Sequence, residues 1–205
     1  MFARSTTIQA QQDTLDAGLS HVRDETMPEL MDMPGFVGLS LLIDRDSGRC
    51  IVTTSWESAE AMHDTADRVR PLRDRAMEVM GGGRPQVDEW EIAVLHRDHP
   101  APEGACCRVT WVRFDQLDRA LDSYRMGLLP ELTQFGGFCS ASLMIDRDSG
   151  RAVSSVTFTD RQAMDSSRSR AEELRSRITG EAGVEILEVG EFELALAHLR
   201  VPEMA

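Results

Sequence analysis

The chain has 205 residues, of which 41% are hydrophobic and 28% charged, and its formal net charge is −13. That length admits one large domain or two small ones, and the composition is that of globular chain able to bury a core, not of a disordered tail. The negative field disfavours phosphate backbones and anionic lipid surfaces, so neither nucleic acid nor membrane is an expected partner.

Apolar runs such as "LSLLI" at 39–43 are strand-sized, far short of the roughly twenty residues needed to cross a bilayer. The opening "MFARSTTIQAQQ" has no apolar stretch behind a basic start, which makes a cytoplasmic location the default expectation. All 22 basic residues are Arg, and Lys and Asn are both absent; a GC-rich bacterial coding sequence accounts for that bias without any function. Cys50, Cys106, Cys107 and Cys139 show no CxxC spacing and no adjacent His, so no metal is expected. Cys50 and Cys139 read as small buried hydrophobes, and Cys106 with Cys107 as reduced thiols.

The chain is written twice. Displaced so that Leu15 falls on Leu117, it matches itself without a gap as far as His96 on His198, with roughly 30 identities over roughly 80 positions. Residues 97–105, "RDHPAPEGA", have no periodicity and read as a connection. The expected organisation is a first repeat over 1–98, a linker over 99–106 and a second repeat over 107–205.

Both copies open with a strand, about 3–10 and 108–114. Asp13 and Asp115 are candidate N-caps for the helix that follows. Its apolar positions are Leu15, Leu19, Val22 and Leu30 in the first copy and Leu117, Leu121, Tyr124, Leu128 and Leu132 in the second. Pro28 and Pro130 predict a break near its end. Next, Val37, Leu39, Leu41 and Ile43 alternate with Gly38 and Ser40, the period of a two-faced strand. "IDRDSGR" then recurs verbatim at 43–49 and 145–151. Asp and Ser bond local backbone, and Gly48 or Gly150 supplies a positive φ, so the repeated motif predicts a hairpin tip rather than a reaction centre. A third strand follows, then Ser58 or Asp160 as the N-cap of a second helix carrying Met62, Thr65, Val69, Leu72 and Ala76. "WEIAVLH" and "FELALAH" close the copies as last strands. Each copy is therefore β-α-β-β-α-β, an α+β ferredoxin-like unit.

A unit of this kind with Trp56, Ser58, Ala61 and Met62 at the entry to its second helix resembles the antibiotic biosynthesis monooxygenase family of the dimeric α+β-barrel superfamily. The resemblance spans nearly the whole chain twice, though Phe158 and Asp160 replace Trp56 and Ser58 in the second copy. It implies that two units close a barrel with their helix-free sheet faces, here as an intramolecular pseudo-dimer, with further homodimerisation allowed. Sheet physics agrees, since a bare apolar sheet face must be covered.

The resemblance also implies oxygenase chemistry without metal or flavin on an aromatic, polyketide-like substrate, in a cavity between helices and sheet. Trp56, His63, Arg73, Trp90 and Ser40 are the candidate substrate-binding residues, and no catalytic residue is assigned. Read singly, Trp56 and Trp90 suit a core and Arg73 a solvated helix. Haem-degrading relatives would need an Asn on the first strand and a His on the second helix; this chain has no Asn, and Asp165 stands in the place of His63. His96 and His198 end the last strands, while Glu89, Glu91, Glu191 and Glu193 are read either as paired with Arg or as facing water. Two readings stand: a cofactor-independent oxygenase, and a non-catalytic small-molecule-binding or stress-response protein. The divergence of Trp56 from Phe158 and of His63 from Asp165 predicts unequal halves, with Trp56→Ala impairing ligand binding more than Phe158→Ala.

Overall fold

The computed structural model describes residues 1–200, 202 and 204, with backbone alone at 180–182 and 199. The first copy contains β1 (Phe2–Gln9), α1 (Leu15–His21), α2 (Met27–Met31), β2 (Phe36–Asp44), β3 (Arg49–Trp56), α3 (Ala59–Asp64), α4 (Ala66–Val79) and β4 (Gln86–Arg97). The second contains β5 (Cys106–Phe114), α5 (Leu117–Ser123), α6 (Leu129–Leu132), β6 (Phe138–Asp146), β7 (Arg151–Phe158), α7 (Arg161–Ser166), α8 (Arg168–Ala182) and β8 (Val184–Leu199). Hydrogen bonding orders the strands β1-β3-β2-β8-β5-β7-β6-β4 in one closed antiparallel barrel. The fold is α+β, built from two ferredoxin-like repeats.

The repeated heptapeptide is a hairpin tip in both copies. Asp44 Oδ1 accepts from the backbone N–H of Asp46 at 3.0 Å, and Ser47 Oγ donates to Asp44 Oδ2. Asp146 repeats both bonds with Asp148 and Ser149. Gly48 sits at φ +77°, where a Cβ would lie 2.5 Å from the Ala10 carbonyl oxygen. Backbone conformation and space both call for glycine there. Ser58 Oγ and Asp160 Oδ1 accept from the N–H of Ala61 and Ala163, the expected caps. Asp13 and Asp115 cap nothing: Thr14 and Gln116 hold those positions without a side-chain cap bond.

The prolines do not break the first helix. Val22–Thr26 and Tyr124–Leu128 each form one wide π-helical turn, and Pro28 and Pro130 fall just after it, in the first turn of α2 and of α6. Met27 N–H donates back to Val22 O, and Leu129 N–H to Tyr124 O. Proline lacks an N–H and its ring crowds the preceding turn, so one added residue per turn lets the helix pass it.

The contacts divide the chain into two compact units, Met1–Trp90 with Leu194–Val201 and Glu91–Glu193 with Pro202–Ala205. The two last strands thus each begin in one unit and finish in the other. In the first unit, Leu39, Leu41, Cys50 and Trp56 pack with Val22, Leu30 and Met62 from the helices, and Ala195 and Leu196 of β8 join that core. In the second, Phe138, Leu143, Val156 and Phe158 pack with Tyr124, Leu132, Met164 and Leu174, joined by Ala93 and Val94 of β4. In both, the helix-facing parity of the strands supplies the core, as period-two alternation requires.

Candidate functional site

Each unit has a cavity between its sheet and its helices. The second unit's measures about 100 Å³ and is bordered by β5, α5, the π-helical turn, β7 and α8. Its wall is mainly apolar, with Phe135, Phe158, Leu143 and Ile178 among its members. Phe135 and Phe158 stack at 6.2 Å. Six polar side chains interrupt the apolar wall, those of Arg108, Thr110, Ser123, Tyr124, Ser154 and Arg175.

Tyr124 stands on the π-helical turn, its hydroxyl 3.3 Å from Ser142 O and 3.1 Å from Ser154 Oγ. Burial pushes its phenol up to about 12, against a smaller opposing effect of Ser154. The hydroxyl therefore keeps its proton near neutral pH and serves as a donor, not a base.

Arg108, on β5, is tied down. Its Nε and Nη2 both donate to Glu191 Oε1, at 3.0 and 2.9 Å; Nη1 donates to Ser167 Oγ and Nη2 to Met164 O. Its guanidinium also lies 5.7 Å from the centre of the Phe158 ring.

Arg175, on α8, differs. It borders the cavity, and its backbone carbonyl accepts from Thr179 Oγ1, but its guanidinium has no hydrogen bond or ion pair to any described residue. Burial first, and the nearby Arg108 second, pull its pKa below the ordinary arginine value. A cation in that state gains from an incoming anion. No carboxylate or imidazole is among the described residues that border this cavity.

The first unit's cavity, about 40 Å³, lies at the equivalent place and is bordered by Arg4, Thr26, Thr54, Val69, Arg73 and their neighbours. Arg4 repeats Arg108: its Nε and Nη2 donate to Glu89 Oε1 at 3.0 and 2.7 Å, and Nη2 donates to Met62 O. His63 Nε2 lies 2.8 Å from the other oxygen of Glu89. Burial opposes ionisation of Glu89, but the hydrogen bonds from His63 and Arg4 prevail and hold its carboxyl below the ordinary range.

The sequence candidates are dispersed. Arg73 borders the small cavity. Trp56 is fully buried and its indole N–H donates to Thr54 Oγ1, while Trp90 Nε1 donates to Ser5 Oγ at 2.8 Å. Ser40 lies on β2 opposite Thr53. His63 sits in the exposed pair with Glu89. The question of the four glutamates is answered for three of them: Glu89 pairs with Arg4, Glu191 with Arg108 and Glu91 with Arg147. His96 Nε2 meets Asp98 at 3.1 Å. All four cysteines are free and buried. Burial pushes Cys50 up to about 11 and Cys107 to about 12, so both thiols stay protonated. Sequence reasoning missed Tyr124, Ser154 and Arg175 as a group. The available signal was the comparison of copies, since Tyr124 and Ser154 stand where the first copy has Val22 and Val52.

Among known proteins, the antibiotic biosynthesis monooxygenase family profile matches residues 1–67. The uncharacterized protein Rv2557 of Mycobacterium tuberculosis is 55% identical over 206 residues, covering 100% of this chain and 92% of that protein. A candidate monooxygenase from Lactobacillus acidophilus superposes with a TM-score of 0.71 at 9% identity, over 97% of this chain and 96% of that one. An anthrone oxidase-like protein does so with a TM-score of 0.68 at 16% identity, over 100% and 95%. At 55% identity across the whole of this chain, the chain belongs to one family with the uncharacterized protein Rv2557, its first 67 residues match the antibiotic biosynthesis monooxygenase profile, and it shares its fold with the two superposed structures.

Proposed function

We propose that the second unit's cavity binds an aromatic, anionic small molecule and that the protein is a cofactor-independent oxygenase of such substrates. The observation that carries this is one unpaired guanidinium, Arg175, facing a mainly apolar cavity whose wall also presents the Tyr124 and Ser154 hydroxyls. Apolar walls with a few placed polar groups are the usual form of a small-molecule site. The volume is on the order of that which encloses one aromatic ring, so the cavity takes the ionised ring of a larger substrate. Arg175 stabilises its anionic oxygen, and Tyr124 donates to a second oxygen on the same ring system.

An ionised phenol gives up electrons to dioxygen far more readily than its neutral form. The overall change is a ring CH₂ becoming C=O, with one oxygen atom entering the product and the other leaving as water with both hydrogens. With no carboxylate or imidazole among the described wall residues, the substrate has to arrive ionised. A match of residues 1–67 to the antibiotic biosynthesis monooxygenase profile and a fold shared with an anthrone oxidase-like protein support this reading.

The missing general base equally supports a second reading, in which the cavity carries an aromatic anion without transforming it. Oxygen uptake with anthrone-like tricyclic phenols separates the two. Turnover without added metal or flavin, with kcat/KM rising through the substrate's own pKa and lost in Arg175→Met, is the expected result. Saturable binding without oxygen uptake would establish the carrier, and absence of binding would sink both.

A further inference from the structure

We infer that the first unit holds a separate binding site for a small planar oxyanion, of the size of nitrate, formate or bicarbonate. Two buried polar atoms border its cavity without a hydrogen-bond partner among the described residues, Thr26 Oγ1 and Arg73 Nε. Thr26 is only 6% exposed. An unpaired buried donor is costly, and when two of them meet at one cavity the economical explanation is a ligand that accepts from both.

The chemistry of the wall selects its charge. Arg4 and Arg73 place two guanidiniums at the cavity, Thr6, Thr26 and Thr54 add hydroxyls, and no carboxylate is among the described residues bordering it. Arg4 is already neutralised by Glu89 at 2.7 Å. Arg73 is less so: its Nε lies 3.6 Å from Asp74, beyond hydrogen-bonding distance, and that carboxylate is 56% exposed and screened by water. The uncompensated charge is thus that of Arg73, which donates and never accepts.

Size selects the ion. At about 40 Å³ the cavity is under half the volume of its counterpart and holds a few water-sized groups, not an aromatic ring. Leu128 takes the place of Thr26 in the second copy, so the hydroxyl half of this site exists in the first unit alone.

The test is a melting titration of the full-length protein with sodium nitrate, repeated with formate, at constant ionic strength. A saturable rise in melting temperature is expected. Thr26→Val should raise the half-saturating concentration about tenfold, while itself raising the melting temperature in anion-free buffer by removing an unpaired hydroxyl. Arg73→Gln should abolish the rise, and Arg175→Gln should leave it within about twofold. That last arm separates the site from the aromatic cavity, so either proposal can fail alone. Should Arg73→Gln not fold, Thr26→Val still decides. Absence of a saturable response, or an equal response in every variant, overturns the inference and leaves ordered water as the partner of both atoms.

Discussion

The two units share a frame and differ in what the frame encloses. Hairpin tip, helix cap, π-helical turn and buried Arg–Glu pair all recur at equivalent positions. The cavity linings diverge. Val22 and Val52 stand where the second copy has Tyr124 and Ser154, Val69 stands where it has Ala171, and Trp56, which borders neither cavity, stands where Phe158 borders the larger one. Each of the last two changes removes side-chain volume from the second unit. In the first, Met80 is fully buried and lies so close to Gly18 that a Cβ there would be 2.4 Å from its Cγ, which fills space near the helices. The two copies thus share the groups that hold sheet to helices and differ in those that line the cavities. The two polar replacements Tyr124 and Ser154 lie 3.1 Å apart and satisfy one another, with Ser142 O as a further acceptor for the phenol.

The comparison breaks most visibly at the shared ion pair. Arg108 is 5% exposed and its partner Glu191 20%, against 8% and 41% for Arg4 and Glu89. Arg108→Ala leaves Glu191 only the half-exposed Arg168 and Arg161 and removes the buried bonds to Ser167 Oγ and Met164 O, and should cost about 3 kcal/mol in urea unfolding. Arg4→Ala should cost about half as much, because Glu89 keeps water and His63. Equal losses would mean that burial does not distinguish the two copies of the pair.

A second test gives the larger cavity the first copy's apolar residues at two positions. The double substitution Tyr124→Val with Ser154→Val installs the first copy's residues and should weaken binding of a tricyclic phenol by about 10–100-fold, equivalent to about 1.4–2.8 kcal/mol. Phe158→Ala should also weaken it, since Phe158 borders the cavity, whereas Trp56 borders neither of the two cavities described. Trp56→Ala should instead lower stability by about 3–5 kcal/mol and leave affinity within about twofold. Calorimetric titration against a melting curve separates these outcomes. The order expected from sequence alone is thereby reversed.

Why the frame was legible and the site was not follows from the kind of signal each leaves. A hairpin tip, a Ser or Asp cap and period-two strands are local patterns, and their recurrence in both copies doubled each signal. The π-helical turn left only Pro28 and Pro130, which register that a regular turn is impossible without saying how the chain responds. Arg175 looked like any helix arginine, as did Arg73, because an unpaired charge is defined by its neighbours from α8, β5 and β7 rather than by spacing. Trp56 and Trp90 drew notice through size, yet their indoles bond Thr54 and Ser5 within the fold. Asp13 failed as a cap because Thr14 takes that position and spends its hydroxyl on Gln11 O and Met80 O.

The smallest expected effects lie on β4, where Glu89 belongs to one unit and Glu91 to the other. Glu91 is held below the ordinary carboxyl range first by its hydrogen bond from Arg147, which outweighs its burial; Glu89 is held there by His63 and Arg4 against its burial. A folded pKa below the ordinary 4.5 means that the ionised form is favoured by folding. The stabilisation is complete above the unfolded value and is lost as pH falls through the folded one. Both Glu89→Gln and Glu91→Gln should therefore flatten the decline in stability below about pH 4.5. At pH 7 each pair is partly exposed, so the cost should stay near 0.2–1 kcal/mol, roughly that of a solvated ion pair. Glu89→Gln should show the larger loss, because it also releases Arg4, whose side chain is 8% exposed, whereas Arg147 is 50% exposed and recovers water when Glu91 is neutral. An acid limb unchanged by Glu89→Gln would assign that decline to other carboxylates and make the Arg4 pair energetically silent in the first unit.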